Sequence, residues 1–286
     1  MSVDDLPHTF NPRHHPILYH YTSAATARVI AKNPALWLSE YTALNDTTEF
    51  TYGRDRLIAL LQQREVYVDA AARLCMVMAL EGLEANTGLM IGSLTTRSDD
   101  LGQWRAYGDS ASGCVIGIDA EYLSDRAGVA VRTVIYDPDT VDRILRAGLT
   151  VLQQTYEENP EDIAAVIEIS RWLASDLFAI KHPAFADERE VRVSRMLVGD
   201  GVGGLIDVGG NDRDRGIMPE LSVGTRAGAF GPTRYLSLPL TSDGGRHAIR
   251  SVGFGPAMSA DERAAQSRFF ATEGIETWMS ALPFRR

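Results

Sequence analysis

The chain has 286 residues, of which 45% are hydrophobic and 23% are charged, and these proportions are typical of a soluble globular protein rather than a disordered one. Asp and Glu outnumber Lys and Arg by 38 to 28, giving a formal net charge of −10, so no broad nucleic-acid-binding surface is expected. The two cysteines lack a disulfide or metal-binding spacing, and no apolar run is long enough to span a membrane. We therefore expect a cytoplasmic protein with reduced cysteines, no metal site and no membrane partner.

The first residues are polar and include three histidines, which predicts a loose leader over 1–16 and argues against a secretory signal. The remaining length suits one large domain, and we assign 17–286 to a single α+β domain. Apolar residues recur at helical spacing over about 50–84 and about 140–180. These two stretches are predicted to be helical insertions in that domain.

The first half of the domain alternates short apolar strands with helices. Its predicted elements, in chain order, are strands over 17–21 and 36–39 flanking an Ala-rich helix with Thr22 or Ser23 as N-cap, two helices between 50 and 83 that part near 67–69, and strands over 89–94, 113–118 and 129–136. The run at 113–118 is apolar throughout, as in a strand that is buried on both faces.

The second half is predicted to contain two long helices, late strands and a capped final helix. In chain order these are helices over 140–156 and 161–180 with Pro160 in the first turn of the second, a strand over 188–197, hairpin turns or a mobile loop over 199–216, strands over 234–240 and 247–254, and a helix from a capping box at 259–262 to about residue 274. Helix pairs between strands, followed by consecutive strands, indicate an α+β fold rather than a regular βαβ alternation. No glycine-rich phosphate-binding motif follows an early strand.

A histidine lies within the first predicted strand. Because side chains alternate along a strand, His20 is expected to face away from Tyr19 and Tyr21 and to share a face with Leu18 and Thr22. A histidine on an apolar face is often a core residue whose hydrogen bonds are satisfied. The alternative is a contact with a ligand.

The polar run from Asn45 to Glu49 follows the second predicted strand. Asp46 or Thr47 suits the N-cap of the next helix, with Glu49 in its first turn. Capping explains this run well, and a ligand contact through Asn45 is the alternative.

Trp104 and Tyr107 flank an arginine and precede a loop of small residues. Two aromatic rings and a guanidinium beside such a loop can stack on a planar ligand such as a base or a nicotinamide. Their spacing of three residues is equally typical of a helical packing face.

The stretch from Glu188 to Val193 is predicted to be a strand with Glu188, Glu190 and Arg192 on one face. Same-face positions lie roughly 6.5–7 Å apart along a strand, which suits an acid/base pair or an ion ladder. Alternating charges are also common protection for the edge of a sheet. The preceding turn, with Lys181 and Phe185, adds groups that can contact an anion or a ring.

Five short motifs, taken in chain order, together resemble those of a known family. They are Leu-Tyr-His-Tyr-Thr at 18–22, Asn-Asp-x-x-Glu at 45–49, Gln-Trp-x-x-Tyr-Gly at 103–108 with the strand that follows, Lys-His-Pro-x-Phe-x-x-Glu-x-Glu-x-Arg at 181–192, and Val-Gly-Phe-Gly-Pro at 252–256. On these motifs the chain resembles, over about 17–256, a widespread bacterial family catalogued as a domain of unknown function, number two thousand nine hundred and seventy-one. That resemblance implies no particular activity.

The same arrangement remotely resembles the ADP-ribosyltransferase superfamily, in which a histidine, an aromatic residue and a glutamate form a split NAD pocket. This resemblance implies a mixed, largely antiparallel split sheet with flanking helices. It also implies that His20 contacts the adenosine-side ribose, that Tyr41 or Tyr107 stacks on nicotinamide, and that Glu190 holds the nicotinamide-ribose hydroxyl. Glu188 is then the first acid of a Glu-x-Glu pair, and Glu190 is the principal acid.

The leading hypothesis is therefore an enzyme with NAD as substrate, for ADP-ribosyl transfer or NAD cleavage, in a toxin or an anti-phage effector. The alternative is a non-catalytic ligand-binding or interaction module with an aromatic pocket of Trp104, Tyr107 and Phe185. The expected partners are a small nucleotide and an acceptor macromolecule or other protein that the residues do not identify. The candidate catalytic residues are Glu190, Glu188 and His20, and the candidate ligand-binding residues are His20, Tyr21, Thr22, Tyr41, Asn45, Trp104, Tyr107, Lys181, Phe185 and Arg192.

Overall fold

The structure is a computed structural model of the chain, and it describes residues 8–43, 49–63, 65–125, 128–200, 202, 204–207, 210–212, 216–218, 220–228, 231–241 and 247–284. Within these residues the chain forms a large, largely antiparallel sheet with helices packed against both of its faces. The α+β class and the largely antiparallel sheet expected from the sequence are confirmed.

The sheet is built mainly from antiparallel neighbours. The described strands are β1 (Ile17–Thr22), β2 (Ala35–Glu40), β3 (Thr87–Thr95), β4 (Cys114–Asp119), β5 (Ala130–Thr133), β6 (Glu190–Gly199), β7 (Leu205–Ile206), β8 (Gly210–Asp212), β9 (Gly216–Met218), β10 (Val223–Gly228), β11 (Gly231–Pro239), β12 (Ile249–Phe254) and β13 (Glu276–Met279). The order along the sheet is β10-β11-β2-β3-β1-β4-β12-β13, and β6 pairs with β3, β5 and β7. β8 and β9 form a separate pair, and β12 and β13 are parallel to each other.

Two of the described helices begin at caps that the sequence predicts. The described helices are α1 (Ala24–Lys32), α2 (Glu49–Leu61), α3 (Ala70–Asn86), α4 (Leu101–Ala106), α5 (Ala120–Asp125), α6 (Pro138–Glu158), α7 (Ile163–Asp176) and α8 (Ala260–Thr272), with 3-10 turns at Tyr41–Ala43, Leu177–Ala179 and Pro183–Glu188. Ser23 caps α1 by accepting a hydrogen bond from the Thr26 N–H. Ser259 and Glu262 form the predicted capping box of α8.

The two larger apolar cores lie on opposite faces of the sheet. On one face, α1 and α8 pack against strand residues that include Leu18, Val191 and Val193. On the other face, α2, α3, α6 and α7 form a helical cluster that reaches the sheet through Leu89 and Ile91. The alternation of side chains along each strand decides which core a residue joins.

The described part of the predicted loose leader is packed against the domain. The imidazole of His8 is buried and lies 3.0 Å from a carboxylate oxygen of Asp176, at the end of α7. The Thr133 N–H donates to the His8 carbonyl at 2.9 Å, and Phe10 is buried in the first core. These long-range contacts, which composition does not reveal, hold the segment in place.

Some element boundaries differ from the sequence prediction. Helix α7 begins after Asp162, whose side chain accepts from the Ala165 N–H at 3.1 Å, so Pro160 lies in the preceding turn. That helix also ends at Asp176, and β5 ends at Thr133 rather than at residue 136. Short elements such as α5 and β13 are not predicted from the sequence, because six and four residues are too few to show a clear period.

Candidate functional site

The sheet is split between β1 and β2. Both strands pair with the same edge of β3, β2 at Met90 and Ile91 and β1 at Thr95. The opposite edge of β3 pairs with β6 along its whole length. Residues 92–94 of β3 therefore face a gap between β1 and β2.

A cavity of about 910 Å³ occupies this gap, and ligand pockets typically span about 300–1,000 Å³. Helix α1, which joins β1 to β2, contributes Thr26 and Val29 to one wall. Most of the polar and aromatic lining comes from the strands around the gap and from the turn before β6. These lining residues are Tyr19, His20, Tyr21, Thr22, Trp37, Ser39, Ser93, Thr95, Gln103, Tyr107, Lys181, Phe185, Glu188, Glu190, Arg226 and Ser237.

His20 and Glu190 reach this cavity from opposite faces of the sheet. Tyr19 pairs with Thr95 and Thr95 pairs with Glu190, so these three side chains lie in one row on one face. His20 is one residue further and therefore points to the face that buries Leu18. Because the sheet is open beside β3, both side chains line the same cavity.

One end of the cavity is ionic, and we call the cluster of Lys181, Glu188, Glu190 and Arg192 the ionic end. The Lys181 ammonium donates to Oε2 of Glu188 at 2.7 Å and to Oε2 of Glu190 at 3.3 Å. Nε and Nη2 of Arg192 donate to the two carboxylate oxygens of Glu190 at 2.9 and 3.2 Å. Lys181, Glu190 and Arg192 are buried, and the two positive charges balance the two negative ones.

Glu190 is held in its ionised form. Burial opposes ionisation, but the charges of Arg192 and Lys181 and the hydrogen bonds from Arg192 and Ser93 outweigh it and lower the pKa of Glu190 from 4.5 to about 2. At neutral pH this carboxylate therefore cannot donate a proton. Strand β6 pairs with β3 on one side and β5 on the other, so these charges do not guard a sheet edge.

Glu188 does not lie on β6, although the sequence predicts that it shares a strand face with Glu190. Pro183–Glu188 forms a 3-10 turn, and Arg189 adopts a left-handed conformation with φ of 46° before β6 begins at Glu190. The left-handed residue interrupts the alternation of side chains. The two carboxylates nevertheless meet, because both accept hydrogen bonds from Lys181.

Tyr107 and the residues around it fix Glu188 at the cavity. The Tyr107 hydroxyl donates to Oε1 of Glu188 at 2.8 Å. The Glu188 carbonyl accepts from Oγ1 of Thr95 at 2.9 Å and from Nε2 of Gln103 at 3.1 Å. A carboxylate offers about four lone-pair positions, so Glu188, which is half-buried, retains capacity to accept a hydroxyl of a ligand. Burial and the Glu188 charge raise the pKa of Tyr107, which keeps its proton on the hydroxyl.

His20 is half-buried at the gap, with Nδ1 lying 3.5 Å from the Ser93 carbonyl oxygen. Burial lowers the pKa of His20, and the hydrogen bond to Ser93 only partly offsets this effect. The ring is therefore neutral at pH 7, and a proton on Nδ1 that is donated to Ser93 leaves Nε2 as an acceptor.

The other end of the cavity is lined by Trp37, Ser39 and Arg226. We call these three residues, together with Tyr235, which stacks on Trp37, the aromatic end. Trp37 is 45% exposed, and its ring stacks on that of Tyr235 with centroids 4.2 Å apart and an interplanar angle of 25°. The Arg226 guanidinium lies 5.8 Å from the Trp37 centroid, and its Nη2 donates to the Ser39 hydroxyl at 2.9 Å. None of these four residues is among the site residues predicted from the sequence. The signal was the alternation of Trp37 and Ser39 with apolar residues along β2.

Residues 103–193 match a family described as protein of unknown function (DUF2971). The DUF2971 resemblance predicted from the motifs is confirmed over that segment. No curated protein and no solved structure matches the chain. The matched segment contains the whole ionic end and Tyr107, whereas His20 and Trp37 lie outside it.

The predicted site residues fall into two groups. Those that line the cavity are His20, Tyr21, Thr22, Tyr107, Lys181, Phe185, Glu188 and Glu190. Arg192 lies behind Glu190, and Tyr41 packs edge-on against Phe178 in the helical cluster at 5.3 Å. Asn45 lies outside the described residues.

Trp104, at the start of the DUF2971 match, does not line the cavity, contrary to the expectation of an aromatic pocket that includes it. Its side chain is fully buried, and Nε1 donates to Oδ1 of Asp99 at 2.7 Å. Its ring packs edge-on against Tyr21 with centroids 4.7 Å apart. Trp104 therefore supports the wall of the cavity from behind.

The described residues contain neither a metal-binding cluster nor a membrane-spanning helix. In that part of the chain, no three His, Cys, Asp or Glu side chains come together so as to hold a metal ion. None of the described helices is both long and apolar enough to cross a membrane. The two cysteines are buried in different cores.

Proposed function

We propose that this protein cleaves NAD, either by transferring the ADP-ribosyl group to an acceptor or by hydrolysis. The observation that carries the proposal is that His20 and the carboxylates of Glu188 and Glu190 line one cavity, in the gap where the sheet splits between β1 and β2. A split sheet with these residue types around it is what the resemblance to ADP-ribosyltransferases implies.

The carboxylates of the ionic end support the chemistry of this reaction. When the bond between nicotinamide and ribose breaks, its electron pair leaves with nicotinamide and a positive charge develops on the ribose carbon. A preorganised carboxylate beside the ribose stabilises that charge. An acceptor hydroxyl, amine or water then forms the new bond and loses a proton. The low pKa of Glu190 ensures that at least one negative charge is present at neutral pH.

Within the ionic end we assign direct contact with the ribose to Glu188. Glu190 already accepts three hydrogen bonds from Lys181 and Arg192 and is almost completely buried, whereas Glu188 is more exposed. In this proposal Glu190 is a positioning residue that fixes Lys181, and Lys181 in turn orients Glu188. The order of importance expected from the sequence, with Glu190 first, is thereby reversed.

His20 suits a hydrogen bond to a sugar hydroxyl. Its neutral ring offers Nε2 as an acceptor towards the cavity while Nδ1 is engaged with the Ser93 carbonyl. Thr22 lies two residues further along β1, on the same strand face, and also lines the cavity. Both side chains can therefore contact the same ligand.

Nicotinamide release from NAD tests the proposal. The wild-type protein is expected to release nicotinamide, and Glu188→Gln is expected to reduce the rate at least about a hundredfold, in the range lost when an enzyme loses one electrostatic contact to the transition state. Asp187→Asn is the matched control, because it removes the same charge from the exposed neighbour in the same turn and should retain the wild-type rate. No release by the wild type with any acceptor added, or equal rates for wild type and Glu188→Gln, contradicts the proposal.

Expression of the wild type and of the same two variants in a bacterium tests the effector role. An NAD-cleaving toxin or anti-phage effector is expected to lower cellular NAD and slow growth. Asp187→Asn should act like the wild type, and Glu188→Gln should restore NAD and growth at equal protein levels. NAD depletion that is the same for all three proteins contradicts a catalytic origin.

A second candidate is a ligand-binding module without catalysis. The specific observation in its favour is the closed set of ion pairs around Glu190, which resembles a support for a binding site more than a set of free catalytic groups. It predicts that NAD or a related nucleotide binds without release of nicotinamide. It also predicts that Glu188→Gln changes the affinity for the nucleotide, while neither the wild type nor the variant releases nicotinamide.

A further inference from the structure

The aromatic end exposes a large tryptophan side chain at the wall of the cavity. Trp37 is 45% exposed, although its strand neighbours Leu36 and Leu38 are buried. Nearly half of a large aromatic side chain is left in contact with water, at the wall of a cavity. A planar ligand that stacks on the ring would remove that apolar surface from water.

The Trp37 ring is held ready for such a contact. Tyr235 stacks on it from the neighbouring strand β11, with centroids 4.2 Å apart. The Tyr235 ring in turn lies across Gly224 of β10, where a Cβ atom would come within 2.5 Å of the ring. The absence of a side chain at Gly224 thus leaves space for the Tyr235 ring in the stacked pair. A ring fixed in advance loses little conformational freedom when a ligand binds.

Arg226 places a positive charge and hydrogen-bond donors over the Trp37 ring, with the guanidinium carbon 5.8 Å from the ring centroid. Its side chain is exposed and lines the cavity together with the hydroxyl-bearing residues Ser39 and Ser237. A guanidinium has five N–H donors in a planar fork, and one of its nitrogens contacts Ser39. Such a fork suits a phosphate, which it can bind through two hydrogen bonds.

The pairing register separates the aromatic end from the ionic end. Trp37 lies two residues before Ser39, which is opposite Ile91, whereas Glu190 is opposite Thr95. With about 4.8 Å between strands and about 3.4 Å per residue, the Trp37 and Glu190 backbones are at least about 12 Å apart. An acceptor group must come within about 3–3.5 Å of the reacting atom. We therefore assign the aromatic end to the part of the ligand that lies away from the reacting bond.

We propose that the aromatic end is a nucleotide subsite in which Trp37 stacks on a base and Arg226 binds the attached phosphate. It takes the half of the ligand that is remote from the reacting bond. The identity of the whole ligand rests on the proposed function, whereas the affinity for a base that carries a phosphate rests on the aromatic end alone.

Calorimetric binding of adenosine monophosphate (AMP) to the full-length protein tests the subsite, with adenosine and ribose 5-phosphate as probes that lack the phosphate and the base. AMP is expected to bind more tightly than either. Trp37→Ala should weaken AMP binding about tenfold to a hundredfold, in the range of one lost base–aromatic stack, and Trp37→Phe, which keeps a ring, should weaken it less. Arg226→Gln should reduce the affinity for AMP while leaving that for adenosine unchanged.

Two matched controls separate the subsite from unspecific effects. Trp172→Ala removes an exposed tryptophan of α7, and Arg171→Gln removes an exposed arginine beside it, and neither residue lines the cavity. Both variants should bind AMP like the wild type. The subsite is refuted if the wild type does not bind AMP, or if Trp37→Ala and Arg226→Gln, shown to be folded by circular dichroism, bind it with wild-type affinity.

The subsite and the proposed function can fail separately. Nicotinamide release without any affinity for AMP through Trp37 refutes the subsite and supports the function. Binding of AMP that depends on Trp37, without nicotinamide release, supports the subsite and refutes the function. Glu188→Gln should leave AMP binding unchanged, because Glu188 lies at the ionic end.

Discussion

The two ends of the cavity are built on different physical principles. At the ionic end, buried charges hold one another through several short hydrogen bonds, and Lys181, Glu190 and Arg192 are almost inaccessible to water. At the aromatic end, Trp37 and Arg226 are exposed and rest on the surface of the sheet. The ionic end is therefore expected to contribute to the stability of the fold as well as to the site, whereas the aromatic end should affect mainly the ligand.

The difference follows from the position of each end in the sheet. Strand β6, which carries Glu190 and Arg192, is paired with a neighbouring strand on each side. Arg192 also contacts the helical cluster, because its Nη1 donates to the Phe178 carbonyl at 2.6 Å. Strands β2, β11 and β10 extend to the end of the sheet, and the face that carries Trp37 and Tyr235 remains partly open. A charge must be paired in the first setting, while an aromatic ring can remain uncovered in the second.

Removal of the arginine at the ionic end should produce a large change in stability. Arg192→Met leaves Glu190 buried with one of its two cationic partners gone, and breaking a buried ion pair in this way costs about 3–5 kcal/mol. Urea denaturation should show this loss in the free energy of unfolding. The exposed neighbour Arg189 provides the control, since Arg189→Met should change the free energy of unfolding by no more than about 0.5 kcal/mol. Equal effects of the two substitutions would show that the ion pairs do not stabilise the fold.

Acid should weaken the fold through Glu190. Its pKa is about 2 in the folded chain and 4.5 in the reference state, so the unfolded chain binds a proton on this group at higher pH than the folded chain does. The stabilisation is therefore complete above about pH 4.5 and is lost as the pH falls towards about 2, and it amounts to about 3 kcal/mol at most.

Unfolding free energies measured at several pH values between 6 and 2 for wild type and Glu190→Gln can isolate this contribution. Other carboxylates titrate in the same range, but they do so in both proteins, and the difference in slope reports Glu190. We expect the wild type to lose more stability on acidification than Glu190→Gln. Parallel pH profiles of the two proteins would be incompatible with the low pKa.

Local patterns in the sequence predicted most of the elements but not the way in which the ionic end is assembled. The caps at Ser23 and Ser259 involve neighbours three residues apart, so the sequence shows them directly. Glu188 and Glu190 appeared to continue one strand, because the residues from 187 to 193 alternate in character. The left-handed Arg189 breaks that alternation, and its conformation follows from contacts of the turn with Thr95 and Gln103, which are distant in sequence.

The aromatic end is harder to predict from the sequence than the ionic end, because its residues lie on strands from opposite halves of the chain. Trp37 meets Tyr235 only because β2 pairs with β11, and Arg226 joins them through the further pairing of β11 with β10. Alternation along β2 places Trp37 on the other face of the strand from the buried leucines Leu36 and Leu38, which predicts that it is exposed. Nothing local indicates that an exposed tryptophan has a tyrosine beneath it and an arginine beside it.

Substitution of two tryptophans should separate support of the fold from contact with the ligand. Trp104→Ala empties a fully buried position and is expected to cost about 3–5 kcal/mol. Trp37→Ala removes a half-exposed ring and one stacking contact, so its cost should be about 1 kcal/mol or less. The reverse order of the two unfolding free energies would mean that Trp37, and not Trp104, is the structural residue of the pair.

The smallest expected effect concerns the glycine under the stacked pair. Gly224→Ala places a Cβ atom where the outer atoms of the Tyr235 ring lie, within 2.5 to 2.8 Å in the present arrangement. The ring can move, because its outer part is not enclosed, so the free energy of unfolding should fall by less than about 1 kcal/mol. The stack of Tyr235 on Trp37 should loosen. The emission of Trp37 is obtained by subtracting the spectrum of Trp37→Phe from that of the wild type, and the same subtraction is made with Gly224→Ala present in both proteins. The two difference spectra are expected to differ. An unchanged difference spectrum would indicate that Gly224 does not position Tyr235. In that case the preorganisation of the aromatic end would have to come from β2 and β11 alone.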